Sequence, residues 1–189
     1  MPRQPHSTGA DPNFLYDGAS TFSRANFDRA YPTTDVAAAL VTQVQTATAI
    51  WLEAGDLVTN ITFLSGATAA GTPTNYYFAL YDNSATPALL AQTADQLTAA
   101  WAANTAKTIA LATAQRITTT GIYYAACMVK ATTVPSLICS VAATATVNGA
   151  ILTGYKILAQ TSGSALTATA PATIATPTTV VNRMWTAVS

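Results

Sequence analysis

The stretch Ile50–Tyr81, IWLEAGDLVTNITFLSGATAAGTPTNYYFALY, leaves this chain few folds to choose from. Two apolar runs flank a Gly55-Asp56 turn at hairpin spacing. From Leu57 the odd positions Leu57, Ile61 and Phe63 are apolar while Asn60 and Thr62 alternate with them, the period of a strand with one buried face. A Gly/Thr/Pro loop follows, then a third, aromatic-rich strand over Asn75–Tyr81. Ile61 and Phe63 are the expected core residues.

The same rhythm extends along the chain. Val36–Trp51 is rich in alanine, but Thr and Val alternate through ALVTQVQTATAIWL at a density that favours a strand, with Leu40, Thr42, Val44 and Thr46 on one face. Asp82-Asn83-Ser84 is a turn, and Ala88–Thr93 a short strand. Asp95–Asn104 is either a short helix or an irregular crossover, and Lys107–Ala112 is a strand with Ile109 and Leu111 on one face. Ile122–Lys130 is a strand answered by Leu137–Thr146 across the Pro135 loop, and Asn148-Gly149 is a turn dipeptide. The apolar ending MWTAVS is placed to close a sheet. Short strands with turns every 8–12 residues predict an all-β chain, a single antiparallel β-sandwich of jelly-roll type over residues 36–189.

Residues 1–35 differ in composition. Pro2, Pro5, Pro12 and Pro32 forbid long regular structure, yet the segment carries Phe14, Leu15, Tyr16, Phe22, Phe27 and Tyr31. It also carries seven of the chain's sixteen charges. We expect an extended N-terminal arm lying along a surface, its own or a neighbour's. Phe14, Tyr16, Phe22, Arg24, Phe27 and Arg29 are its expected partner-binding residues, the arginines pairing with carboxylates.

Charge narrows the function classes. Charged residues make up 8% of the chain, against about a quarter in ordinary soluble domains, and the net charge is zero. A nucleic-acid surface needs a dense Lys/Arg footprint, so nucleic acid is not an expected partner. No run approaches the ~20 apolar residues of a membrane span, and MPRQPHSTGADPN lacks the apolar core of a secretory leader. A body coated with Thr, Ser and Ala has little electrostatic protection against self-association and suits work inside an assembly. We therefore expect a homo-oligomer, with a trimer favoured.

No reaction centre emerges. The body's carboxylates, Glu53, Asp56, Asp82 and Asp95, sit in or beside turn signals, and the single histidine, His6, lies far from them in sequence. Cys127 and Cys139 are too few for a structural zinc site; strands flanking Pro135 would bring them close, with two buried free thiols expected rather than a disulfide. No nucleotide-loop, zinc-protease or calcium-loop spacing occurs. The expectation is no enzyme, no cofactor and no metal. Tyr76, Tyr77, Tyr81, Trp101, Tyr123, Tyr124 and Tyr155 are expected mainly in a core or subunit interface, with an exposed sugar-stacking platform as the alternative.

WLEAGDLVTNITFLSGATAAGTPTNYYFALYD, TAAWAANTAKTIALA, TTGIYYAACMVKATTVPSL and the LTATAPATIA…WTAVS ending together resemble small virion structural proteins of tailed bacteriophages that infect actinobacteria. The resemblance covers roughly Arg24–Ser189 and transfers a class, with no site residues. It implies a virion protein assembled in the host cytoplasm, with other virion proteins, a major capsid or tail protein, as partners. A capsid decoration protein held by its arm is the favoured form. The alternatives are a minor tail protein touching host-surface glycan and a carbohydrate-binding module.

Overall fold

The computed structural model describes residues 24–28, 31–32, 34–36 and 40–189. Among these residues thirteen strands follow in chain order: β1 (Arg24–Ala25), β2 (Thr34–Val36), β3 (Gln45–Leu52), β4 (Leu57–Leu64), β5 (Gly71–Tyr81), β6 (Leu89–Gln92) and β7 (Ala106–Arg116). Then come β8 (Gly121–Thr133), β9 (Leu137–Val141), β10 (Ala159–Ser162), β11 (Thr178–Thr179), β12 (Asn182–Met184) and β13 (Thr186–Val188). No α-helix occurs among the described residues. The strands form a six-stranded sheet β11-β10-β3-β8-β5-β6, a four-stranded sheet β1-β13-β4-β7 and a small sheet β12-β9-β2, with every named pair antiparallel. The all-β sandwich expected from the strand rhythm is the fold observed.

The core lies between the two larger sheets. Ile50 and Leu52 of β3, Tyr76, Phe78 and Leu80 of β5, and Tyr123, Ala125, Cys127 and Val129 of β8 share one face. They pack on Val58, Ile61 and Phe63 of β4 and Ile109 and Leu111 of β7. Ile61 and Phe63 are both fully buried, as their alternation predicted. Phe63 meets Phe78 edge-on at 4.9 Å between ring centroids, and Trp101 closes the cluster against Phe78 at 5.5 Å and Tyr76 at 5.9 Å.

The other face of the six-stranded sheet is buried too, which is why β5 is sealed without alternation from Tyr76 to Tyr81. Cross-strand neighbours Ala47, Ala126 and Ala79 make a low strip across its middle. Side chains that small let the segment after β10 lie directly on the sheet, with Leu166, Ala170 and Ile174 inward. A loop laid on a sheet must find partners for its backbone groups. Gln92 takes the Ala170 N–H at 2.7 Å and donates to Ala168 O at 3.0 Å, Gln43 donates to Leu166 O at 3.2 Å, and the Tyr81 hydroxyl donates to Pro171 O at 2.9 Å.

Several local expectations are corrected. The Gly55-Asp56 turn is no hairpin, because β3 pairs with β8 and β10 while β4 pairs with β7 and β13, so the chain arches from one sheet to the other. Leu57 is exposed and Val58 buried. A bulge between Val58 and Asn60 changes the parity before Ile61, and the Thr59 and Asn60 amides both donate to Ser189 O. The strand expected over Val36–Trp51 begins only at Gln45, since Gln43 has φ 62° and Val44 turns back to Val41 O. Asp95–Asn104 is the irregular crossover, interrupted by positive φ at Leu97 and Asn104. Leu137–Thr146 does not answer the strand before it: β9 stops at Val141 and pairs with β2 and β12. Asn148-Gly149 ends a 3₁₀ turn over Ala145–Asn148, where buried Asn148 donates to Val180 O and Val181 O. Cys127 and Cys139 lie in different sheets, both buried and free. Burial pushes the Cys139 thiol up to about 11, and that of Cys127 upward as well.

The tyrosines in the core make a pH prediction. Burial raises the Tyr77 phenol and pushes Tyr81 and Tyr124 up to about 12. In the unfolded chain a phenol ionises near about 10. The folded state therefore favours the neutral form. That stability is fully present below about pH 10 and is lost as the pH climbs toward 12. Alkaline titration should show buried phenols ionising together with loss of the β-sheet circular dichroism signal. Phenolate absorbance completing near pH 10 with the sheet intact would contradict this packing.

Candidate interaction surface

The residues expected to bind a partner divide. Phe14, Tyr16, Phe22 and Arg29 lie outside the described residues. Arg24 and Phe27 are described, and both are engaged by the protein's own body. β1 pairs with β13, Arg24 opposite Val188 and Ala25 opposite Ala187. Arg24 Nε donates to Asp56 Oδ2 at 3.0 Å and Nη2 to Asp56 Oδ1 at 3.3 Å, while Nη2 also meets Glu53 Oε2 at 2.9 Å. The carboxylates expected on a partner are supplied by the same chain. Phe27 packs beside Trp185 with the Arg183 guanidinium 5.1 Å from its ring centroid, and the Trp185 indole donates to Phe27 O at 3.2 Å.

Asn26 explains why this segment is fixed. Its amide donates to Met184 O at 2.7 Å and to Thr48 Oγ1 at 3.2 Å, and its Oδ1 accepts the Thr186 N–H at 3.1 Å. One side chain thus ties the β12–β13 region to β3. β2 then crosses the boundary expected after residue 35 and joins β9. The described residues of the first 36 therefore belong to the sandwich.

Arg24→Gln should lower stability by about 0.5–1 kcal/mol in urea unfolding, with the deficit shrinking at high salt, because the pair is partly exposed and screened. A salt-independent loss of several kcal/mol would show that Arg24 has a deeper packing role.

The four body carboxylates are committed to structure. Asp56 accepts the Glu53 N–H and holds Arg24, and Glu53 holds Arg24. Asp82 accepts the amides of Ser84 and Ala88 and the Ser84 hydroxyl. Burial alone would raise its pKa, but those bonds and nearby Lys156 hold it below the ordinary carboxylate value. Asp95 accepts the amides of Tyr76 and Leu97 and the Asn75 side chain. Among the described residues no three His, Cys, Asp or Glu gather as a metal site would require.

Of the seven aromatics weighed as a platform, Tyr76, Tyr77, Tyr81, Trp101, Tyr123 and Tyr124 are buried; Tyr155 is 61% exposed. It stands in an apolar surface that the sequence reading missed. Val147, Ile151, Leu152 and Tyr155 are all at least half exposed within nine residues, and Trp51 is 53% exposed. Trp51 opposes Ile122 on the outer face of the six-stranded sheet. Ile122, Val147, Ile151, Tyr155 and Leu158 line a cleft of about 400 Å³. On the other side of Gly154-Tyr155-Lys156 lies a second cleft of about 380 Å³, rimmed by Ser84, Thr86, Gln160 and Thr176. Lys156 fixes the wall between them by donating to Asn83 O and Ser84 O, each at 2.8 Å.

No protein-family model matches the chain, and no curated protein matches it. Fold and surface together define, among the described residues, a weakly charged all-β sandwich with an apolar cleft beside Tyr155 and a polar-rimmed cleft next to it.

Proposed function

We propose that this protein is a non-enzymatic structural component of a tailed-bacteriophage particle, a capsid decoration protein attached through its N-terminal segment. The observation that carries the proposal is the scarcity of charge: eight basic and eight acidic residues in 189. The body's acidic side chains are occupied in turns and ties. A surface of this kind favours contact with other protein over a solvated monomeric life. The sequence resemblance to virion proteins supports the same class, and a trimer is the arrangement it suggests. Quantitative mass spectrometry of purified particles tests the proposal. Hundreds of copies per particle are expected; a complete absence from particles overturns it.

A second reading has its own observation. Tyr155 stands exposed beside a cleft rimmed by hydroxyl and amide side chains, a surface on which a sugar ring could stack. That favours a tail-tip protein, or a stand-alone carbohydrate-binding module, in contact with host glycan. A few copies per particle together with glycan-array binding lost in Tyr155→Ala would establish it over the decoration role.

A further inference from the structure

We propose that the apolar cleft beside Tyr155 is the docking site of this chain's own N-terminal segment, with Phe14, Leu15 and Tyr16 as the side chains that fill it. The inference concerns the free chain and does not rest on the particle assignment.

Three observations converge. First, the cleft is built from apolar side chains left open: Val147, Ile151 and Tyr155 are each at least half exposed around an opening of about 400 Å³. Contiguous exposed apolar surface of this kind marks an interaction site. Second, the described chain begins at the same end of the sandwich. Arg24 is fastened to Glu53, two residues beyond Trp51, and Trp51 opposes Ile122, which lines the cleft. At strand spacings Glu53 lies about 12 Å from Ile122, and the paired Arg24 and Glu53 side chains add about 10 Å. Third, 23 residues precede Arg24 and carry an aromatic cluster, Phe14-Leu15-Tyr16, eight to ten residues upstream. Eight to ten residues of extended chain reach about 26–33 Å, so the cluster can arrive.

The tether decides between occupants. A segment held within reach of its site faces an effective concentration in about the millimolar range, which an untethered partner or second copy must exceed. The chemistry agrees, since an apolar cleft with a single fixed lysine at its edge suits aromatic side chains better than an anion or a metal ion. A segment that shields this surface would also protect a weakly charged chain from self-association.

The test uses full-length protein with Tyr155→p-benzoylphenylalanine, and with Leu152→p-benzoylphenylalanine as a second, equally exposed position. Irradiation followed by peptide mapping should give adducts to residues 12–22 on a species of monomer mass, in a yield independent of protein concentration. Adducts that join two chains, or none to residues 1–23, overturn the proposal. Removing residues 2–22 should raise binding of a hydrophobic fluorescent dye several-fold. Equal dye binding with and without the segment overturns it as well.

Discussion

Phe63→Ala should destabilise the protein by about 3–5 kcal/mol, lowering the melting temperature by roughly 6–20 °C for a domain of this size. Phe63 is fully buried at the point where the two large sheets meet. Its ring lies edge-on to Phe78, which in turn supports Trp101. Truncation removes the transfer free energy of the ring and leaves a cavity that backbone fixed by both β13 and β7 cannot close. Phe63→Leu should recover much of the loss, since it restores most of the apolar volume. Thermal unfolding followed by circular dichroism measures both. A change within about 1 kcal/mol for the alanine variant would mean that the sheets can collapse onto the vacancy, contrary to the packing described.

The legible parts of this fold were those in which one strand faces one core. Ile61, Phe63, Ile109 and Leu111 were placed correctly because all four point into the main core; β7 buries only that face there, while on β4 Thr62 of the other face is buried as well. Turn residues were also visible, but a Gly-Asp turn does not encode whether its flanking strands share a sheet. That depends on which other strands outbid them, and β8 pairs with β3 along all eight of its residues. Likewise, the bulge before Asn60 is set by Ser189 O receiving two amides, a contact 130 residues distant in sequence. The unbroken burial of Tyr76–Tyr81 comes from a cover segment whose Thr/Ala/Pro composition gave no sign of where it would lie. The candidate surface was illegible for a related reason. Ile151, Leu152 and Tyr155 have the chemistry of core residues, and their place in the irregular segment before β10 leaves them exposed.

If the protein is the particle component proposed above, removing residues 2–22 should leave a folded sandwich that no longer joins the particle. The boundary matters. A deletion reaching residue 30 would take away β1, the Arg24 tie to Asp56 and Glu53, and Asn26 with its three hydrogen bonds between β12–β13 and β3. Such a protein would fail through instability and reveal nothing about attachment. Ending the deletion at residue 22 keeps every described contact. Ordering any part of the segment costs backbone entropy that its contacts have to offset. Burial of Phe14, Tyr16 and Phe22 supplies about 1.5–3 kcal/mol each, and charge-assisted bonds add to that only where a partner presents complementary groups. The cleft beside Tyr155 can receive part of the segment in the free protein, but its one charged lining residue, Lys156, is already engaged by Asn83 O and Ser84 O, which leaves little for Arg3, Asp11 and Asp17. Those charges are the groups left to engage a neighbour on the particle. The expected outcome is native β-sheet circular dichroism, a melting temperature lowered only by the lost cleft contact, and copy number per particle falling to background. Full incorporation of the truncated protein would move the attachment site onto the sandwich itself, with the Trp51–Tyr155 surface as the face to mutate next.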